Sequence, residues 1–273
     1  MPAVARGADG ARLALRTAGD PDGAPIVFVH GWAASGAAWA GQLGDPALAA
    51  HHLVAVDLRG HGASDTPADG YDRPATWAGD LAAVLDLLGR PAVLVGWSYG
   101  GLVVTDYLRE RGTAGVAGVV YAGALTEMGR DRPGGAIGTA WDGLLRPALS
   151  EDPDEAIPAL TALARRMTAA PLPGPEVQRH VSDMLRVPPR VRKALFRRDI
   201  GSAEVLAAID VPVLVAHGTA DTVVAPASAE YTIGKISTAT VRWFDEVGHM
   251  PFVERRAEFN AALIEFAGPV ANH

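Results

Sequence analysis

The chain contains no cysteine, which removes disulfides, thiolate metal ligands and cysteine nucleophiles together. Positive charge is outweighed by negative, with 24 Lys and Arg against 31 Asp and Glu and a net charge of −7. No basic block stands out, so the electrostatic footprint of a nucleic-acid or anionic-membrane partner is missing. No apolar run approaches the roughly 20 residues of a membrane helix, so no membrane insertion is expected. The opening stretch MPAVARGADGARLALRT has no apolar signal-peptide core, which points to a cytoplasmic protein. No histidine pair has metal-site spacing, no G-x-G-x-x-G follows a strand-like run, and no repeat or low-complexity tract is visible. The expectation is a protein without metal or other cofactor.

What remains is a chain of 273 residues, 49% of them hydrophobic, long enough for one domain with a full core or one domain plus an insertion. Short apolar runs alternate with helix-like stretches. PIVFVH (25–30), HLVAVD (52–57), PAVLVG (91–96), VAGVVYAG (116–123), VPVLVA (211–216) and TVRWFDE (240–246) read as strands. Most are continuously hydrophobic, as strands of a parallel sheet covered on both faces should be. TWAGDLAAVLDLLG (76–89) carries Trp77, Leu81, Val84, Leu85 and Leu88 at helical spacing and stops at Gly89. PFVERRAEFNAALIEFAG (251–268) begins at proline and ends at glycine. The alternation predicts an α/β fold with a mostly parallel central sheet flanked by helices. Between Thr126 and Ser202 the rhythm breaks into short helices separated by PLPGP and VPP turns. That stretch predicts a helical cap, or lid, inserted after the sixth strand. Residues 1–125 and 203–273 then form the core and 126–202 the cap. Trp141, Leu144, Leu145, Leu160, Leu163, Met167, Met184 and Leu185 are too many apolar residues for a solvated tether.

One strand ends unusually. Gly96-Trp97-Ser98-Tyr99-Gly100 fits G-x-S-x-G, in which a serine occupies a strained strand-to-helix turn and small neighbours let strand and helix close around it. The pattern alone is weak, but it stands between a buried-type strand and the helical stretch YGGLVVTDYLRERG (99–112). A serine that merely caps this helix would explain Ser98 but not both glycines. A serine nucleophile needs a base, and the base an orienting acid. His249, in VGHMPFVE, lies just past the last strand. Asp221, in AHGTADTVV, lies just past the strand before it, although a turn or helix-cap aspartate would fit there too. Both positions fall on the carboxyl edge of a parallel sheet, where open sheets bind ligands.

These residues resemble the α/β-hydrolase family, and the resemblance extends over nearly the whole chain. FVHGWAASGAAW (28–39) is similar to the family's His-Gly loop after the third strand, and DLRGHGASD (57–65) to its D-x-R-G-x-G-x-S signature. GWSYGG, HGTAD and GHMPF follow in order. The family implies a catalytic triad of Ser98, Asp221 and His249, with an oxyanion hole formed by the backbone N–H groups of Trp32 and Tyr99. It implies that His30 shapes its loop, and that Asp57, Arg59, His61 and Ser64 brace a loop beside the site. His51 and His52, just ahead of a strand, read as surface residues. Relatives that displace halide or open epoxides carry aspartate at the elbow, so serine favours attack at an acyl carbon.

Substrate-lining candidates are Trp32, Tyr99, Leu125, Met128, Trp141, Leu144, Met184, Phe196, Val223 and Met250, each of which could equally be core. The basic run VPPRVRKALFRRD (187–199) would suit an anionic substrate, but the reading preferred is the solvated face of a lid helix, with Val191, Leu195 and Phe196 turned inward. A small-molecule acyl substrate is the expected partner, and the expected activity is hydrolysis of small to medium esters, thioesters or lactones through an acyl-enzyme. Three alternatives keep the same residues: a cofactor-free perhydrolase or haloperoxidase, suggested by the His-Gly-Trp loop and Trp39-x-x-Gln42; a carbon–carbon hydrolase or lyase, for which Lys193 is the one lysine in the lid stretch; and a small-molecule receptor with slow turnover.

Overall fold

The computed structural model describes residues 3–270. Eight strands form one sheet: β1 Ala3–Arg6, β2 Arg12–Gly19, β3 Pro25–Val29, β4 His52–Val56, β5 Ala92–Trp97, β6 Val116–Ala122, β7 Val213–Gly218 and β8 Ala239–Phe244. Their order across the sheet is β1-β2-β4-β3-β5-β6-β7-β8. The six expected strands are β3 to β8, and all of their mutual pairings are parallel. β1 and β2 were not anticipated. β1 pairs antiparallel with β2, and β2 antiparallel with β4. Arg12, Arg16 and Thr17 break the apolar run of β2 because this strand lies toward the sheet's rim, where alternation replaces continuous burial. By contrast every residue of β3, β5 and β7 is buried, each Val or Leu there worth about 1.5–3 kcal/mol relative to exposure.

The helices are α1 Ala40–Leu43, α2 Pro74–Leu88, α3 Tyr99–Arg111, α4 Leu145–Ala148, α5 Pro153–Arg165, α6 Gly174–Arg186, α7 Pro189–Phe196, α8 Ala203–Ala207, α9 Pro226–Lys235, α10 Pro251–Glu254 and α11 Arg256–Val270. α3 packs on α2, β5 and β3, while α11 lies on β6. The helix expected over 76–89 is α2, and it ends as predicted with Gly89 at φ 65°. The single helix expected over 251–268 is broken into α10 and α11 at Arg255, whose ψ of 48° interrupts the turn. Between β6 and β7 the described residues carry α4 to α8 and no strand of the sheet, only isolated bridges at Met128–Ile200 and Ile137–Val224. Among the described residues no helix is long and apolar enough to cross a membrane.

The chain leaves β3 toward β4 on one side and reaches β5 on the other. Such a reversal opens a crevice at the carboxyl ends of β3 and β5. The loop after β4 is pinned beside that crevice. Asp57 accepts from the backbone N–H of Gly36 (2.7 Å) and of Ala63 (2.8 Å). Arg59 holds Asp80 in α2 through Nε (2.6 Å) and Nη2 (2.7 Å). Ser64 donates to the Asp57 carbonyl and accepts from Ala14 N–H. These contacts make the 57–65 segment a brace.

His30 and His61 face each other across this loop with ring centroids 5.1 Å apart. His30 accepts the Leu58 N–H at Nε2 (3.0 Å) and places Nδ1 2.8 Å from the Gly31 carbonyl. Nδ1 therefore carries the proton and the ring is neutral. His61 likewise points Nδ1 at the Arg59 carbonyl. His52 corrects its surface reading: it is the half-buried first residue of β4, and His51 beside it is also half-buried.

Burial, with His30 adding to it, pushes the His61 pKa down to about 3. The unfolded chain protonates this ring near pH 6.5 while the native one does not, so this contribution to stability is present above pH 6.5 and is lost as pH falls toward 3. The slope is at most about 1.4 kcal/mol per pH unit. Urea midpoints measured between pH 7 and 5 are expected to fall less steeply for His61→Asn than for the native protein. Parallel slopes would contradict the assignment.

Candidate active site

β5 delivers Ser98 into a turn with φ 54° and ψ −122°, outside the regions open to most side-chain-bearing residues. A conformation of this kind costs about 1–3 kcal/mol and persists where surrounding contacts over-determine it. Here Ser98 N–H donates to Ala122 O (3.2 Å), and Ser98 O accepts from Gly101 N–H (2.9 Å) and Leu125 N–H (3.0 Å). The glycines permit the crossing. A β-carbon on Gly96 would lie 2.8 Å from the Gly100 carbonyl oxygen, and one on Gly100 would lie 2.3 Å from that of Val29. Ser98 sits at the N-cap position of α3 but makes no capping hydrogen bond. Among the described residues its hydroxyl is neither a cap nor hydrogen-bonded to His249 in this conformation.

His249 and Asp221 are brought together at the same edge. His249 Nδ1 lies 2.8 Å from Asp221 Oδ2, and both side chains are buried. Asp221 Oδ1 accepts the N–H groups of Val223 (2.8 Å) and Val224 (3.0 Å). With Nδ1 donating to the aspartate, the neutral imidazole keeps its Nε2 lone pair free to take a proton. The His249 loop is tied to its surroundings at several points. Trp97 Nε1 donates to the His249 carbonyl (3.0 Å), His249 N–H donates to Met167 O (2.9 Å), and Gly248 N–H donates to Glu254 Oε1 (2.9 Å). Trp97 belongs to the strand that carries Ser98, so one side chain couples the elbow to the histidine.

A second histidine was missed in the sequence. His217, in β7, places Nε2 3.3 Å from Asp221 Oδ2 and 3.1 Å from Val224 O. It is fully buried, and its Nε2–H is shared between two acceptors. The only local signal was its i, i+4 separation from Asp221, which says nothing about direction across a strand end. Burial alone would raise the Asp221 pKa, yet His249 and His217 together hold it well below the usual carboxylate range.

The Trp32 and Tyr99 N–H groups engage no backbone carbonyl among the described residues, and Tyr99 is the first residue of α3, where such N–H groups are orphaned. Gly31, just before Trp32, is close to the elbow: a β-carbon there would lie 2.9 Å from Ser98 Cβ. Trp32, Trp141 and Phe196 form a triangle with centroids 5.4, 5.6 and 5.2 Å apart. Trp141 Nε1 donates to Val223 O (3.1 Å). Leu125 abuts the elbow through its N–H, and Met250 follows His249 and is fully buried. Met128 is occupied in its bridge with Ile200, Met184 is buried on α6, and Leu144 packs half-buried on the core. None of these last three has a hydrogen bond or ring contact to Ser98, Asp221 or His249.

Polar side chains of two segments lie buried. Gln42 donates from Nε2 to Phe252 O and Asn260 Oδ1, both at 2.9 Å, and Trp39 stacks on Phe252 at 4.2 Å. That pair braces α1 against α10 and α11. In α7, Val191 and Leu195 turn inward as expected, but Arg192 does too and is only 3% exposed. Arg198, just beyond α7, is also buried and holds Asp106 of α3 through Nη2 (2.7 and 2.8 Å) while Nη1 donates to Tyr99 Oη (3.1 Å).

A parallel sheet whose order reverses beside a serine elbow is the architecture of the α/β hydrolases. A model of the alpha/beta hydrolase family matches residues 26–262, and the chain belongs to that family. Within it, the chain falls in the branch that holds esterases and cofactor-free haloperoxidases. It is 42% identical to an esterase from Rhodococcus sp. ECU1013, with a TM-score of 0.93 over 98% of this chain and 99% of that one. It is 30% identical to a non-heme chloroperoxidase of Streptomyces lividans, covering 94% of this chain and 96% of the relative. A bromoperoxidase from Bacillus anthracis superposes with a TM-score of 0.87 at 25% identity, over 98% of this chain and all of that one.

Asp221→Asn is expected to leave the circular dichroism spectrum intact and to lower kcat on the order of 10⁴-fold, since an amide favours the wrong imidazole tautomer. His217→Phe keeps a ring in the same space but removes one donor from Asp221. The full carboxylate charge then falls on His249, so the acidic limb of the kcat/KM profile should move to higher pH. An unmoved limb would mean that His217 only fills space.

Proposed function

We propose that this protein is a serine esterase acting on small to medium carboxylic esters, with thioesters and lactones within the same chemistry. The observation that carries this reading is Ser98: a side-chain-bearing residue on a strained turn, its hydroxyl free of the helix it begins. Ser98 Oγ attacks the carbonyl carbon and His249 Nε2 takes its proton. Asp221 orients the ring and stabilises the imidazolium. The tetrahedral oxyanion is received by the N–H groups of Trp32 and Tyr99, with the partial positive charge at the α3 N-terminus behind them. His249 then returns the proton to the leaving alkoxide. In the second half-reaction it activates water, which cleaves the acyl-serine ester to the acid. The name of the Rhodococcus relative, an esterase, agrees with ester cleavage at this site. No step calls on a metal or an organic cofactor.

Residues 126–202 serve in this reading as the cap over the crevice. The Trp32–Trp141–Phe196 triangle supports it, because Trp141 and Phe196 come from that stretch and Trp32 from the loop beside Ser98. Such an aromatic wall gives the acyl chain an apolar surface. The haloperoxidase relatives favour a second activity from the same acyl-enzyme, with hydrogen peroxide in place of water to yield a peracid. A lyase role for Lys193 is disfavoured by its position, since its ammonium lies 3.0 Å from Glu151.

Labelling by a fluorophosphonate is expected to disappear in Ser98→Ala, and hydrolysis of p-nitrophenyl esters of graded length should disappear with it. Labelling that persists would place the nucleophile elsewhere. On the native enzyme kcat/KM should fall on the acid side of its pH profile, because a protonated histidine cannot act as a base. A flat profile from pH 5 to 8 would remove His249 from that role.

A further inference from the structure

Three arginines are buried almost completely among the described residues: Arg59, Arg192 and Arg198. Two of them rest on carboxylates, Arg59 on Asp80 and Arg198 on Asp106. Arg192 does not. Its Nε and Nη1 are shut off from solvent without a hydrogen-bond partner, and no ion pair within the described residues involves it. The two carboxylates nearest in sequence are engaged elsewhere, Asp199 with Arg132 (3.0 Å) and Asp183 with Ser35 Oγ (3.0 Å), and Glu151 takes the neighbouring Lys193. Burial lowers the Arg192 pKa with no neighbouring charge to oppose it. A guanidinium nevertheless stays protonated in proteins, so this fold holds a desolvated cation without an anion.

Its position connects it to the candidate site. The backbone carbonyl of Arg192 accepts the indole N–H of Trp32 (3.2 Å). Four residues on, one helical turn away and on the same face of α7, Phe196 packs on both Trp32 and Trp141. Trp32 in turn follows Gly31, which abuts Ser98. Arg192 thus shares a helix face with the aromatic wall beside the elbow.

We propose that Arg192 is a specificity residue that receives a second carboxylate on the substrate, so that the preferred esters are monoesters of dicarboxylic acids. The planar guanidinium pairs with a carboxylate through two parallel N–H···O bonds. The methylene chain between the two carbonyl groups lies along Trp32, Trp141 and Phe196 while the ester carbonyl meets Ser98. This rests on the esterase reading above.

The test compares mono-p-nitrophenyl esters of dicarboxylic acids with two to five methylenes against their neutral counterparts, in which an amide replaces the free carboxylate. Native enzyme and Arg192→Met are assayed side by side. At the best chain length the native enzyme should prefer the anionic ester by about tenfold or more in kcat/KM, the effect of one charge-assisted buried contact. That ratio should collapse toward one in Arg192→Met, chiefly through KM. The ligand-free variant should also melt at a higher temperature, because an unpaired buried charge has been removed. A native preference for the neutral esters, a ratio that survives the substitution, or a lower melting temperature in Arg192→Met would each overturn the proposal. Failure of the esterase reading looks different: neither ester series is turned over, and Ser98 does not label.

Discussion

The structure around the crevice depends on one steric constraint, the close approach of α3 to the ends of β3 and β5. Gly100 lies so near the Val29 carbonyl that a β-carbon would collide with backbone. Gly96 stands in the same relation to the first turn of α3. Because the two strands and the helix meet without side chains between them, Ser98 is forced into its unusual backbone conformation, and Ala122, Gly101 and Leu125 hold it there. The same approach brings Gly31, next to Trp32, against Ser98. Loosening that contact would release both the strain and the alignment, which is why the strain can persist.

Electrostatics divides the buried polar groups into two kinds. Asp57, Arg59, Asp80, His30 and Ser64 are bonded to one another or to the backbone, and so they rigidify the 57–65 loop. Asp221 is also fully satisfied, by two backbone N–H groups and two histidines, yet its partner His249 retains a free nitrogen. Ser98 and Arg192 differ from these, one a hydroxyl without a bond and the other a guanidinium without a counter-charge among the described residues. Both border the Gly31–Trp32 loop.

The 126–202 stretch and the remainder of the chain are stitched together by contacts that also touch the candidate machinery. Arg198 reaches from beyond α7 to Asp106 and to the Tyr99 hydroxyl, on the residue that follows Ser98. Glu254 accepts from Gly248, Ala169 and Ala170, which ties the histidine loop to the end of α5 and the segment after it. Trp97 closes the ring from the elbow strand. The elbow strand, the His249 loop and the 126–202 stretch are therefore linked through hydrogen bonds.

Much of this was legible from residues alone. Continuous apolar runs marked β3 to β8, since strands covered on both faces need no polar alternation. The G-x-S-x-G spacing marked the elbow because glycine is the residue that permits so close a crossing. Asp221 and His249 were legible because each follows a strand and so reaches the same edge. β1 and β2 were not, as rim strands mix charged and apolar residues and resemble loops in sequence. His217 was hidden for another reason: a histidine inside an apolar strand says nothing about which neighbour its ring will meet across the strand end. Arg192 was read as solvated because the run around it is basic, and helical periodicity could not say how far the inner face of α7 extends. The sequence by itself determined the order of elements and the chemical types at the sheet edge, because these follow from local pattern. Tertiary structure alone decided which buried charges found partners, because pairing depends on residues distant in the chain and on directions that no local pattern records.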